Sequence, residues 1–293
     1  MSMEKKTIFK GVATALITPF VHGAIDYEAL KNMIETQIGA GVGALLLAGT
    51  TGEGSTLSIE EYTALISFAK GQIKGRVPLL AGGGSNCTSH AKERIAAVCE
   101  GGADAVLAVT PYYNKANDRG IVLHYQALAD ASPKPLILYN VPSRTGFHMT
   151  MTHYRELAAH PNIVAVKEAS GDLGLLEALC AECGDRLDVY SGNDHQTVSS
   201  MRLGACGTIS VYANLYPRKM AEICRLCAAG DFRLAYQRQK SCLAQMQALF
   251  WEVNPIPVKY VASQMGLCRA EYRLPLCAPS SEVARRLCEI FRT

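Results

Sequence analysis

The sequence predicts an α/β protein, a (β/α)8 TIM barrel with a C-terminal helical extension, and three observations carry that expectation. Eight short runs rich in β-forming residues alternate with segments of helical periodicity. The runs are almost continuously apolar and do not alternate, which is the pattern of parallel strands covered on both faces. The residues just past the runs are rich in hydroxyls, amides and glycine, at the strand ends where a barrel keeps its chemistry.

The strands are expected over residues 12–18, 44–49, 78–82, 105–110, 136–140, 163–167, 187–191 and 207–211. The clearest helical segments cover 27–40, 59–73, 89–100, 121–131 and 217–228. Ser58 and Glu61 form the Ser-x-x-Glu of a capping box before the second of these, and Thr152 is expected to precede a further helical run. Eight β-then-α units fit a closed barrel better than a doubly wound sheet. From about Asp231 no strand signal remains, and 235–251, 257–265 and 281–290 look helical. The chain thus divides into a catalytic barrel, residues 1–230, and a helical extension, residues 231–293, packed on it.

Composition bounds the function. The 293 residues are 49% apolar, enough for one large core, and the net charge is +3. Acidic and basic side chains are interleaved, without the basic block or stripe of a nucleic-acid surface. The stretch from Met1 to Thr7 lacks the apolar core of an export signal. The most apolar stretch, Gly43 to Gly49, is far too short to span a bilayer. The expectation is a soluble protein of the cytoplasm with no membrane or nucleic-acid partner. The eleven cysteines are expected as reduced thiols. Cys180 with Cys183 and Cys224 with Cys227 have the CxxC spacing of zinc ligands. Both pairs fall inside helical patterns, where core packing is the better reading, so no metal is expected.

Lys167 ends the run that begins at Ile163, so its side chain can point into a barrel mouth. Burying a charged lysine is costly. A nucleophilic lysine must be neutral, and at a pKa near 10.4 only about one molecule in 2,500 carries the free amine at pH 7. Desolvation enlarges that fraction. A surface lysine that snorkels from a strand end is the alternative. Tyr139 ends the preceding strand, and a phenol there can move protons or simply be buried with its hydroxyl satisfied. The turn Thr50-Thr51-Gly52-Glu53 offers hydroxyls and N–H groups to a carboxylate. Arg144, in a loop after Pro142, can grip a second carboxylate. No phosphate-binding loop or dinucleotide fingerprint is present.

At these residues the chain resembles the 4-hydroxy-tetrahydrodipicolinate synthase (dihydrodipicolinate synthase) family. The similarity runs from the Gly11 to Pro19 stretch through to Asn254-Pro255-Ile256-Pro257-Val258-Lys259. Its most specific pieces are Gly49-Thr50-Thr51-Gly52-Glu53, Thr110-Pro111-Tyr112-Tyr113-Asn114, Tyr139 through Gly146 and Val166-Lys167-Glu168-Ala169-Ser170. The resemblance implies a lyase without a cofactor. Lys167 would form an imine with pyruvate, with Tyr139, Thr50 and Tyr113 as a proton relay, Tyr113 being lent by a neighbouring subunit. Thr50 and Thr51 would hold the pyruvate carboxylate and Arg144 that of L-aspartate-4-semialdehyde, while the main chain at Gly192 and Ile209 shapes the site. The product would open lysine and diaminopimelate synthesis, and a homotetramer built as a dimer of dimers is implied.

N-acetylneuraminate lyase and sugar-acid aldolases share the lysine and barrel of this superfamily. Arg144 within Pro142-Ser143-Arg144-Thr145-Gly146 favours the synthase. A non-catalytic pyruvate sensor is the remote alternative, against which the set Thr50, Tyr113, Tyr139 and Lys167 argues. Lysine-inhibited members have an allosteric crevice whose matching positions here are Ser55, Ile59, Tyr62, Asn86, His90 and Tyr112. Asn86 and Tyr112 fit the sensitive pattern. Ile59, Tyr62 and His90 depart from it, so inhibition by lysine is expected to be weak or absent.

Overall fold

The computed structural model describes residues 7–292. Except for Thr7, the N-terminal stretch without an export core lies outside the described residues. The strands are β1 (Gly11–Ala15), β2 (Phe20–Val21), β3 (Ala24–Ile25), β4 (Ala44–Leu47), β5 (Leu79–Gly82), β6 (Ala105–Val109), β7 (Leu136–Asn140), β8 (Ile163–Glu168), β9 (Asp188–Ser191) and β10 (Gly207–Ser210). β2 and β3 form a small antiparallel hairpin. The other eight close into a parallel barrel in chain order, β1 pairing with both β4 and β10. The eight expected strands are therefore the eight of a TIM barrel.

The α-helices are α1 (Tyr27–Gly39), α2 (Ile59–Ile73), α3 (Thr88–Glu100), α4 (Asp118–Ala131), α5 (Pro142–Thr145), α6 (Met151–Leu157), α7 (Leu173–Cys183), α8 (Thr197–Arg202) and α9 (Pro217–Ala228), followed by α10 (Phe232–Ala248), α11 (Ile256–Gln264) and α12 (Ser281–Phe291). Ser58 caps α2 with a full capping box to Glu61. The cap of α6 is Thr150, not Thr152, which lies inside the helix. α10 starts earlier than its apolar periodicity suggests, because the Asp231 side chain accepts from Leu234 N and caps it.

Four strands, β1, β4, β6 and β10, end sooner than their apolar runs, whereas β5, β7 and β9 end where expected and β8 runs one residue further. β1 stops at Ala15, since Ile17 N donates to Asn214 Oδ1 and Thr18 Oγ1 to the Gly52 carbonyl. β4 stops at Leu47, where Ala48 turns left-handed at φ 52. β10 stops at Ser210, with Val211 already helical and opening a short turn. Apolar residues past a strand pack on the mouth as readily as on the sheet, so hydropathy alone overruns the ends.

Two apolar layers result. Inside the barrel lie Ala13, Ala15, Leu46, Leu107, Ile137, Ala165 and Ile209, with Phe9 stacked on Tyr190 at 4.1 Å between ring centroids. Outside, the alternate strand residues pack against the helices. Cys183, Cys224 and Cys227 belong to that outer layer. Burial pushes the Cys227 thiol up to about 11 and the Cys224 thiol higher still, as for packed, unreactive sulfur. Among the described residues no helix is long and apolar enough to cross a membrane.

His124 on α4 is buried, with Nδ1 2.9 Å from Thr88 Oγ1. Burial pulls its pKa from 6.5 down to about 4. The folded state thus binds fewer protons than the unfolded chain between these values. Its contribution is complete above the unfolded pKa and is lost as pH falls towards 4. Urea midpoints measured across that window should decline with falling pH, and His124→Asn should flatten the decline.

Candidate active site at the barrel mouth

Strand periodicity aims the central pair. Ile137 and Ala165 face the barrel interior, so Tyr139 and Lys167, two residues further on, face inward as well. They are direct partners in the β7–β8 ladder. Lys167 Nζ lies 4.4 Å from the Tyr139 ring centroid, and each residue is 6% exposed. Both line a cavity of ≈ 530 Å³ at the C-terminal ends of the strands, together with Thr50, Thr51, Arg144 and Gly192. Residues 250–254, between α10 and α11, roof it.

Gly192 follows β9, and its N–H donates to the Glu168 carbonyl at 2.7 Å. A Cβ there would sit 2.5 Å from Ala169 Cβ and 3.1 Å from Lys167 Cε. Glycine is needed because the backbone approaches the lysine stem this closely. The Thr50–Glu53 turn leaves β4 through left-handed Ala48 and ends at left-handed Glu53, both at φ 52. Its closing bonds run from Glu53 N to Thr50 O at 3.2 Å and from Gly54 N to Gly49 O at 3.1 Å.

Asn254 was not singled out in the sequence. Its Nδ2 donates to Thr51 Oγ1 at 3.0 Å, and its carbonyl accepts from Arg144 Nη2 at 3.1 Å. It thereby links the two elements expected to hold carboxylates. Its sequence signals were its place at the start of the Asn254–Lys259 stretch and beside Pro255.

Behind the lysine lies a buried carboxylate. Glu168 accepts from Asn140 Nδ2 at 3.0 Å, Tyr154 OH at 2.8 Å and Ser170 N at 2.7 Å. Burial, with the neighbouring Glu168 charge, holds the Tyr154 phenol well above its usual range. Past β9, the buried Asp194 accepts from Val211 N and Tyr212 N at 3.0 and 2.9 Å. Burial raises its pKa, opposed by hydrogen bonds and the Lys167 charge.

Not every expected residue joins the mouth. Ile209 is fully buried within the barrel. Tyr113 is 91% exposed, in a left-handed conformation at φ 69, and lines neither this cavity nor the next. A second cavity of ≈ 310 Å³ shares Thr50, Tyr139, Arg144 and Asn254 with the first. Ser55, Tyr62 and Tyr112 line it, whereas Ile59, Asn86 and His90 do not. Tyr62 is buried and donates to the Gly54 carbonyl at 2.8 Å, and burial pushes its phenol up to about 12.

The closed parallel barrel carries a buried lysine laddered to a tyrosine at its mouth, and the proteins it resembles are lyases. The model of the dihydrodipicolinate synthetase family matches residues 8–292. A 4-hydroxy-tetrahydrodipicolinate synthase of Geobacter sulfurreducens is 47% identical over 275 residues, 94% of each chain. The crystal structure of dihydrodipicolinate synthase from Aquifex aeolicus superposes with a TM-score of 0.94 at 41% identity, covering 97% of both chains. The chloride-inhibited dihydrodipicolinate synthase of Acinetobacter baumannii, complexed with pyruvate, gives 0.95 at 40% identity over 98% of both. The chain belongs to the dihydrodipicolinate synthetase family.

Tyr154→Phe tests the buried layer. It leaves Glu168 one donor short, and losing a hydrogen bond to a charged group costs about 1.5–3 kcal/mol. Urea unfolding should show a loss of that size.

Proposed function

We propose that the chain is a 4-hydroxy-tetrahydrodipicolinate synthase, condensing pyruvate with L-aspartate-4-semialdehyde to give (4S)-4-hydroxy-2,3,4,5-tetrahydrodipicolinate, the first committed step towards diaminopimelate and lysine. The observation that carries the reading is Lys167, buried with its Nζ against the Tyr139 ring at the mouth of the barrel. A buried lysine at a strand end, held against an aromatic face, is placed to act as a nucleophile on a bound keto acid.

The chemistry follows from that amine. Lys167 Nζ attacks the pyruvate keto carbon, and the carbinolamine loses water to give the imine. Loss of a methyl proton gives the enamine, whose carbon attacks the aldehyde carbon of the second substrate. The amino group of that substrate then attacks the imine carbon, closes the ring and expels Lys167. Tyr139 is the group positioned to carry protons through these steps. Thr50 and Thr51 hold the pyruvate carboxylate, Thr51 with one lone pair already engaged by Asn254, which leaves its O–H to donate. Arg144 takes the carboxylate of the semialdehyde. Gly192 and Ile209 contribute backbone that shapes the site.

Tyr113 completes the relay in a second copy of the chain. Its exposure in one copy suits a residue that projects across an interface. The assembly we propose is a homotetramer made of two such dimers, acting in the cytoplasm without a cofactor. Residues 1–230 form the catalytic barrel and 231–293 the extension that roofs it. The departures at Ile59, Tyr62 and His90, of which Tyr62 lines the crevice beside the mouth, make lysine a weak inhibitor or none. A steady-state titration should show no inhibition in the millimolar range.

Borohydride reduction with pyruvate, followed by peptide mapping, tests the mechanism. A pyruvyl adduct is expected on Lys167 and is abolished in Lys167→Ala. An adduct on any other lysine, or on none, refutes it. Gly192→Ala should push Ala169 and the Lys167 stem aside and lower kcat/KM by about a hundredfold, since displacing a reacting group by about an ångström costs that much. Aldehyde choice is read by comparing aspartate semialdehyde with N-acetylneuraminate cleavage.

A further inference from the structure

The helical extension reaches the mouth through a buried ion pair. Lys259 on α11 and Glu53 at the end of the Thr50–Glu53 turn are both 0% exposed in their side chains, with Nζ 2.5 Å from Oε1. The ammonium also lies over the Phe20 ring at 4.1 Å, and Glu53 Oε2 accepts from Arg273 N at 3.2 Å. Burial pulls the Lys259 pKa down, and the Glu53 charge pulls it back up.

Stability does not account for this pair. Two buried charges rarely stabilise a fold more than apolar side chains of similar volume would. What the pair holds is more informative. Glu53 occupies a left-handed conformation at φ 52, unfavourable for any residue with a Cβ. Such a conformation persists where its surroundings over-determine it, and it concentrates at ligand sites. Glu53 N closes the turn on Thr50 O, and Thr50 and Thr51 wall the Lys167 cavity. The extension thus grips one turn at two points, Thr51 through Asn254 and Glu53 through Lys259.

We propose that Lys259 is a positioning residue for the bound keto acid: by pairing with Glu53 inside the protein it fixes the end of the turn, and so sets where Thr50 and Thr51 meet the substrate carboxylate. The inference rests on the reading of those two threonines as the pyruvate-carboxylate site.

The double replacement Lys259→Met with Glu53→Gln separates positioning from stability, because it removes both charges and nearly keeps the volume. Its urea midpoint should match or exceed that of the unaltered chain. KM for pyruvate should rise about tenfold or more, the scale of a weakened hydrogen bond to a charged group, with kcat lowered less than about threefold. Borohydride trapping on Lys167 should still reach completion at saturating pyruvate. Lys259→Met alone should also lower the midpoint, since it strands a buried carboxylate. Glu53→Asp, which keeps both charges but shortens the reach, should raise KM in the same direction. A folded double variant with an unaltered KM overturns the proposal and leaves the pair as packing, and so does an unaltered KM in Glu53→Asp. An unaltered chain that traps no pyruvate overturns the reading of the carboxylate site, and this proposal with it.

Discussion

The pairing of β7 with β8 is the constraint on which the rest depends. In a closed barrel the strands have no edge, and side chains alternate strictly between interior and helix layer. Once Ile137 and Ala165 point inward, Tyr139 and Lys167 must follow, side by side. A slip of one residue would turn the lysine into the apolar layer beneath the helices and bring Val166 to the mouth. The interior alanines, leucines and isoleucines that hold the barrel together therefore also aim the amine.

A buried amine needs surroundings that tolerate it without fixing its charge. The nearest strong carboxylates in this fold are occupied elsewhere. Glu168, next in sequence to Lys167, faces the opposite side of the strand and is held by Asn140, Tyr154 and Ser170. Asp194 is engaged with the backbone at Val211 and Tyr212. The aromatic face of Tyr139 remains as the close neighbour, and a ring attracts a cation far more weakly than a carboxylate does. Glu168 and one oxygen of Asp194 are thus held by other donors, and the lysine is left available.

How much of this was legible in the sequence follows from the range of each interaction. The eight strands were readable because burial on both faces makes them continuously apolar, and Ser58 with Glu61 because a cap is a local event. Lys167 and Tyr139 were readable because a strand end is a local feature too. The ends of β4 and β10 were not, since Ala48 and Val211 are apolar residues that leave the ladder for conformational reasons. Asn254 was missed because its partners, Thr51 and Arg144, lie 203 and 110 residues away. Lys259 was quoted only as part of a motif. Nothing in an amphipathic helix tells a buried lysine from a solvated one until its partner, 206 residues away, is in place.

The extension is part of the mouth for the same physical reason. A TIM barrel leaves its strand ends open, and polar loops there would be flooded by water unless something covers them. Residues 250–254 supply that cover, and they descend from α10 into α11 through Asn254. A roof that only packed on the barrel would need apolar contacts alone. This one is also tied by directional bonds to the turn it covers and to Arg144, and Arg273 adds a paired contact to Glu61 in the capping box of α2. Directional ties fix orientation where apolar packing fixes only proximity. The extension therefore registers the turn and the arginine against each other, a task that neither of them, on separate barrel loops, can perform for itself.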